Sequence, residues 1–190
     1  PGRLPNHPNQ PSLNMEFFDV VNPLDEVVGR QSRAEVHRLG LMHRAAHVLL
    51  TNARGEIFLQ KRSLHKDSSP GLWDSSSSGH VDSGEDYDHA AIREVREELN
   101  HSLPIPPVRL FKIPACAETG HEFVWVYHAR AEGPFELNPD ELESGGWFSR
   151  EEITRWTTAS PEEFAPSFLL IWRRLLTEKD WTRLETGPTP

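Results

Sequence analysis

Three glutamates and an arginine crowd into Arg93-Glu94-Val95-Arg96-Glu97-Glu98. Seven residues separate Arg93 from the end of the run Gly79-His80-Val81-Asp82-Ser83-Gly84-Glu85. On a helix Glu94, Glu97 and Glu98 are spaced i, i+3 and i, i+4, so they share one face, with Arg93 at its edge. Carboxylates packed this closely repel one another. A divalent cation offsets that repulsion, and an oxygen-rich donor set suits magnesium or manganese.

The helix that carries them is expected over Tyr87–Leu99. Ser83 or Asp86 is available to cap it, Glu85 and Asp86 complement the dipole at its start, and Asn100 stands where a left-handed residue closes it. Ala90, Ala91, Ile92, Val95 and Leu99 form an apolar stripe, leaving the carboxylates on the other side. An ordinary surface helix would read the same way, with its acids solvated and paired to Arg93 and Arg96. The glycine-bearing loop from Gly79 to Gly84 separates the two readings, because it lets backbone approach a metal-bound phosphate closely.

Around this helix the chain reads as mixed α/β. Strands are expected at Phe17–Val21 and Glu26–Gly29 about the turn Asn22–Asp25, and as a hairpin of Ala45–Leu50 and Glu56–Gln60 about Asn52–Gly55. Further strands are expected at Val108–Ile113 and Glu122–Tyr127. An amphipathic helix over Pro161–Asp180 carries Phe168, Ile171, Trp172, Leu175 and Leu176 at helical spacing, a core-packing pattern. Strands and helices alternate poorly, which disfavours a doubly wound parallel sheet and favours a mixed sheet between helices. Residues 1–14, rich in Pro and Asn, are expected to be a disordered extension or an expression remnant, with Met15 a candidate start and 15–190 one domain.

The chain has 190 residues, with 20 Lys and Arg against 29 Asp and Glu, a net charge of −9. That balance argues against nucleic-acid binding, which needs a basic face, but not against a small phosphorylated substrate. No apolar run approaches the ~20 residues of a membrane span, and no apolar signal region begins the chain. The single cysteine, Cys116, cannot form an internal disulfide; it fits a small buried residue in a reducing, cytoplasmic setting.

The pattern Gly, five residues, Glu, seven residues, Arg-Glu-U-x-Glu-Glu-x-Gly-U, with U bulky and aliphatic, is the Nudix box. Gly79, Glu85, Arg93, Glu94, Val95, Glu97 and Glu98 match it across 79–101. Asn100 replaces the last Gly and His101 the last aliphatic residue, with the packing contact expected to pass to Leu103. The chain therefore resembles the Nudix family. The resemblance implies a mixed β-sheet in an α/β/α sandwich, a magnesium or manganese ion, and hydrolysis of a diphosphate linkage in a nucleoside diphosphate derivative or related compound. It implies Glu94 and Glu98 as metal ligands, supported by Glu97 and Gly79, with Arg93 orienting the carboxylates. A carboxylate, Glu97 or one from a nearby loop, would be the base. A homodimer is compatible with the family.

A wider resemblance runs from about Phe18 to the last helix. Leu41–Ala45, Gln60–Ser63, Pro70–Trp73, Ser78–His80 and Phe164–Phe168 look like isopentenyl-diphosphate isomerase, a divergent Nudix enzyme. It implies metal-binding histidines at His37, His43 and His80 and an active carboxylate at Glu122. Yet Ser78 stands where that enzyme has its catalytic cysteine, Gly120 where it has a second metal carboxylate, and Glu162 near its active-site tryptophan. A hydroxyl is a far weaker acid than a thiol, so the resemblance points to a hydrolase of the isomerase-like subgroup. Isomerase and non-catalytic nucleotide sensor are the alternatives. Lys61 and Arg62 could meet a diphosphate; Trp73 and Trp125 read as packing; specificity is assigned to loops such as Lys112–His121. His47 sits inside a strand with no part assigned to it.

Overall fold

The computed structural model describes residues 16–177, so the extension expected over 1–14 lies outside it. A two-stranded antiparallel hairpin, β1 (Phe17–Val21) and β2 (Val27–Ser32), runs into a short helix, α1 (Arg33–Leu39). Ser32 caps that helix by accepting the Glu35 N–H, and Gly40 closes it at φ +61°. The main sheet follows: β3 (His43–Thr51), β4 (Ile57–Arg62), β5 (Trp73–Asp74), β6 (Ser77–His80), β7 (Val108–Ile113), β8 (Glu122–Arg130) and β9 (Leu142–Phe148). Helix α2 (Tyr87–Leu99) interrupts the series, and α3 (Arg150–Ala159), a 3₁₀ turn (Pro161–Glu163) and α4 (Pro166–Leu175) end it.

Strand β3 is the spine. It pairs in parallel with β8, residue for residue from His43↔Glu122 to Thr51↔Arg130. On its other edge β6 pairs antiparallel, from Ala45↔His80 to Val48↔Ser77. The expected hairpin with β4 survives only at Thr51↔Ile57; beyond it β4 turns to β9 and β5. A mixed sheet results, as the poor alternation of strands and helices implied.

Alternation along β3 sends Ala46, Val48 and Leu50 to one face, where they meet Val95 and Leu99 of α2. Ala45 and Leu49 go to the other, against Ile153 of α3 and Phe168, Ile171 and Trp172 of α4. Each fully buried Phe, Leu or Ile of these layers contributes roughly 1.5–3 kcal/mol. The architecture is an α/β/α sandwich. Among the described residues no helix is long and apolar enough to cross a membrane.

Three local expectations need correction. The last helix does not begin at Pro161: Phe164 forms a parallel bridge with Trp73, and Ala165, pushed to ψ 135° ahead of Pro166, restarts the chain into α4. Residues 178–180 lie outside the described ones. On α2, Ile92 leaves the apolar stripe for solvent, while Glu98 at the end of the acidic face is 1% exposed. Cys116 is only half buried, its Sγ 3.6 Å from Thr119 Oγ1.

Candidate active site

Helix α2 is capped by Asp86, which accepts the His89 N–H, and closed by Asn100 at φ 47°. Ser83, the other candidate cap, instead donates to Asp19 at 2.6 Å. The helix lies across β6, and the contact is extremely close. A β-carbon on Gly79 would lie 2.1 Å from the Glu94 carboxyl carbon. One turn on, Glu98 Oε2 accepts the Ser78 N–H at 2.9 Å, while Glu98 Oε1, equally buried, has no hydrogen-bond partner. Burial pushes both carboxyls up, Glu94 to about 8 and Glu98 to about 7, and the charge of Glu98 adds to the effect on Glu94.

Arg93 holds the cluster together. Its Nε and Nη2 donate to the two oxygens of Glu85 at 3.0 and 2.8 Å, and Nη1 donates to Glu94 at 2.6 Å and Glu97 at 3.0 Å. Nη2 also donates to the His80 carbonyl at 2.8 Å. A planar guanidinium suits such a fan of acceptors. Glu97 keeps half of its side chain in solvent.

A second donor set faces this one. His37 of α1, His43 of β3, His80 of β6 and Glu122 of β8 bring one ligand atom each within 4.8 Å of one another. Glu122 Oε1 lies 3.0 Å from His80 Nε2 and 3.5 Å from His43 Nε2; His37 Nε2 lies 3.3 Å from His80 Nε2. The buried Phe18 ring stacks on His80 and His43 at 4.5 and 5.6 Å and backs them. His43 Nδ1 lies 2.9 Å from the Leu41 carbonyl, which fixes the proton there and turns the Nε2 lone pair inward, where it has no hydrogen-bond partner. Burial, with the neighbouring histidines, lowers His37 to about 4, and burial lowers His80. Burial raises Glu122, but the adjoining His43 and His80 imidazoles outweigh it and hold the carboxylate well below its usual range.

These residues fit a divalent cation. Glu98 Oε1 and His43 Nε2 are buried acceptors without protein partners, and carboxylate and imidazole are the donors such an ion takes.

Glu94, Glu97 and Glu98 of the first set and His80 and Glu122 of the second line one cleft of about 550 Å³. Arg33, Arg62 and Lys66 also line it, paired respectively to Glu16, Asp74 and Glu141. Of the pair Lys61 and Arg62, only Arg62 reaches the cleft; Lys61 bonds Glu143 at 3.1 Å. Ala117, Glu118, Thr119 and Gly120, from the loop assigned to specificity, form part of the wall. Trp73 packs edge-on against Phe148 and Trp156, and Trp125 lies beneath Arg109; neither lines the cleft. His101 packs edge-on against Phe135, and Leu103 packs on the core below α2.

The sequence reading missed Arg33, Asp74 and His47, all of which line the cleft. Arg33 lies in an unforeseen helix. Asp74 follows Trp73 in a two-residue strand too short to show a period. His47 sat within an expected strand, where period-2 alternation from His43 could have placed both on one face.

The same architecture recurs in known proteins. The family model described as NUDIX domain matches residues 41–168. An isopentenyl-diphosphate Delta-isomerase of Serratia proteamaculans is 33% identical over 174 residues, 89% of this chain and 97% of that protein. An uncharacterized Nudix hydrolase of Yersinia pestis is 32% identical, covering 92% of this chain and 94% of the relative. The crystal structure of DR0079 from Deinococcus radiodurans superposes with a TM-score of 0.76 at 30% identity, covering 85% of this chain and 99% of that one. With the match reaching from Leu41 into α4, across more than half of the chain and all the box carboxylates, the chain belongs to the Nudix family.

Proposed function

We propose that this protein is a magnesium- or manganese-dependent pyrophosphohydrolase that cleaves a diphosphate linkage in a nucleoside diphosphate derivative or related small molecule. The buried pair Glu94 and Glu98 carries this reading. Two carboxyls raised by burial, one with an unpartnered oxygen, destabilise the fold unless a cation meets them.

Glu94 and Glu98, supported by Glu97 and the backbone at Gly79, would hold the cation on the helix side. His43, His80 and Glu122, joined by His37, form the facing donor set. A bound divalent cation supplies charge neutralisation for a diphosphate and a more acidic water. Arg93 locks Glu85, Glu94 and Glu97 into one arrangement and fixes the His80 carbonyl. Glu97, half exposed at the cleft, accepts the proton of the attacking water; Glu122 is the alternative base, but its histidine contacts favour the anion and make it a poor proton acceptor. Arg62 and Lys66 offer charge to the phosphates.

The Serratia relative's name and the histidine cluster favour a second reading, isopentenyl-diphosphate isomerase. Against it, Ser78 is 5% exposed and already bonded: it donates to Asp74 at 3.4 Å and accepts from Gln60 at 3.2 Å. One assay separates the readings. The protein is incubated with magnesium and a panel of nucleoside diphosphate derivatives, dinucleotides and isopentenyl diphosphate, and the products are analysed. Release of nucleoside monophosphate or phosphate, abolished in Glu98→Gln, supports hydrolysis. Isomerised isopentenyl diphosphate without hydrolysis overturns it, and tight binding without turnover points to a sensor.

A further inference from the structure

The family match begins at Leu41, so β1, β2 and α1 all precede it. Strand β1 nonetheless reaches into the loop that leads to α2. Phe18 forms an antiparallel bridge with Asp82, and the Phe17 carbonyl accepts the Ser83 N–H at 2.8 Å. Asp19 completes the contact: Oδ1 accepts the Ser83 hydroxyl at 2.6 Å and Oδ2 accepts the Gly84 N–H at 3.2 Å. Ser83 and Gly84 carry two N–H groups and one hydroxyl, and every one of these donors ends on β1.

These two residues form the centre of a tight turn. The Glu85 N–H closes it on the Asp82 carbonyl at 2.9 Å, with Gly84 at φ +83°. A β-carbon at Gly84 would meet nothing within 4 Å, so no other packing steadies the turn at that point. Glu85 runs directly from this turn to Arg93. Its Oε2 accepts the Asp82 N–H at 3.1 Å together with Arg93 Nη2, and its Oε1 accepts Arg93 Nε. Arg93 Nη1 then holds Glu94 and Glu97. A line of polar contacts therefore joins Asp19 to Glu94. The hairpin does not depend on Asp19 for its own attachment. The Val21 N–H meets the Met42 carbonyl at 2.9 Å, and Asp25 takes Arg44 Nε and the Tyr87 hydroxyl at 2.7 and 2.9 Å.

We propose that Asp19 is a positioning residue for the cation-binding carboxylates: it fixes the turn that carries Glu85, and Glu85 through Arg93 holds Glu94 in place against Gly79. The inference rests on the cation-binding part of the hydrolase reading and extends that site to a strand outside the family match.

The test measures magnesium affinity of the full chain by titration calorimetry, and follows the histidine set separately by the visible absorption of bound cobalt. Asp19→Ala should weaken magnesium binding by about tenfold, the low end for losing a group that orients a metal ligand. Cobalt affinity and absorption should stay as they are. Asp19→Asn keeps an acceptor for the Ser83 hydroxyl but not a second one for Gly84, and should fall between. In a Glu85→Ala background Asp19→Ala should cost nothing further, because the route to Arg93 is already cut. Unchanged magnesium affinity overturns the inference. So does an equal loss for cobalt, which marks a loosened hairpin, since Phe18 backs His43 and His80. A loss that persists in full without Glu85 overturns it as well. Where Asp19→Ala does not fold, Ser83→Ala must show the same selective loss of magnesium in smaller measure, and its absence is decisive against Asp19. All these outcomes leave the cation-binding reading standing; a wild type that binds no magnesium overturns both.

Discussion

Glu94 lies against the open face of Gly79, so close that a β-carbon there would fall 2.1 Å from the carboxyl carbon and from Oε1. Strand β6 and helix α2 approach each other at a point where only hydrogen fits. Gly79→Ala should therefore swing Glu94 out of position, because the carboxylate can move and the strand cannot. Displacing a reacting-site group by about 1 Å can cost ~100-fold in rate. The expected result is a loss of kcat of that order with an unchanged far-ultraviolet circular dichroism spectrum.

Glu98→Gln should separate activity from stability. Removing a cation-binding oxygen should lower kcat on the order of 10³-fold. In chelator at pH 8 the same substitution should raise stability by on the order of 1–3 kcal/mol, since the wild type must ionise a carboxyl that burial has raised to about 7. Steady-state kinetics and chemical denaturation of the same preparation check both signs. A variant both inactive and destabilised in chelator would contradict the account.

The pH dependence of the metal-free protein follows from the same pair. Glu94 and Glu98 are raised above the ordinary glutamate value of 4.5, to about 8 and about 7. Between pH 4.5 and 8 the folded state thus binds more protons than the unfolded state, and this contribution to stability falls as pH rises. Thermal unfolding in chelator should show that decline, and magnesium should reverse it most at the alkaline end. A stability that rises through this window in chelator, in step with the magnesium-saturated protein, would count against the pair.

The histidine set should favour a softer cation than the carboxylate pair does. With the His43 Nδ1 proton committed to Leu41, His43→Ala removes one inward lone pair. Affinity for manganese or cobalt at this set, measured by titration calorimetry, should fall at least tenfold. Magnesium binding at Glu94 and Glu98 should change little.

How legible all this was depended on which signals are local. The box residues Gly79, Glu85, Arg93, Glu94, Glu97 and Glu98 were readable because α2 is long, capped and periodic, and the Asn100 closure followed from its tolerance of a left-handed backbone. Helix α1 was not, because its only buried residue is Val36. Strand β9 hides behind Gly145 and Gly146; at Gly145 a β-carbon would fall 2.3 Å from Phe58, so packing overrides strand propensity there. Helix α3 was legible and overlooked: Ser149 and Glu152 form a capping box spaced as one reads it in sequence. Burial of Glu98 was not legible, because it is covered by β6, a Ser-Ser-Gly-His segment with little strand character of its own.

The parallel register His43↔Glu122 also bears on how the molecule is made. Strands β3 and β8 are separated in the chain by β4, β5, β6, α2 and β7, so joining them closes a long loop, the kind of contact that forms slowly. Until that closure a nascent chain owns His43 without Glu122, half of the histidine-side donor set. Cation capture there thus waits for the sheet to finish, and a metal ion present during refolding should speed nothing and reward only the completed sheet.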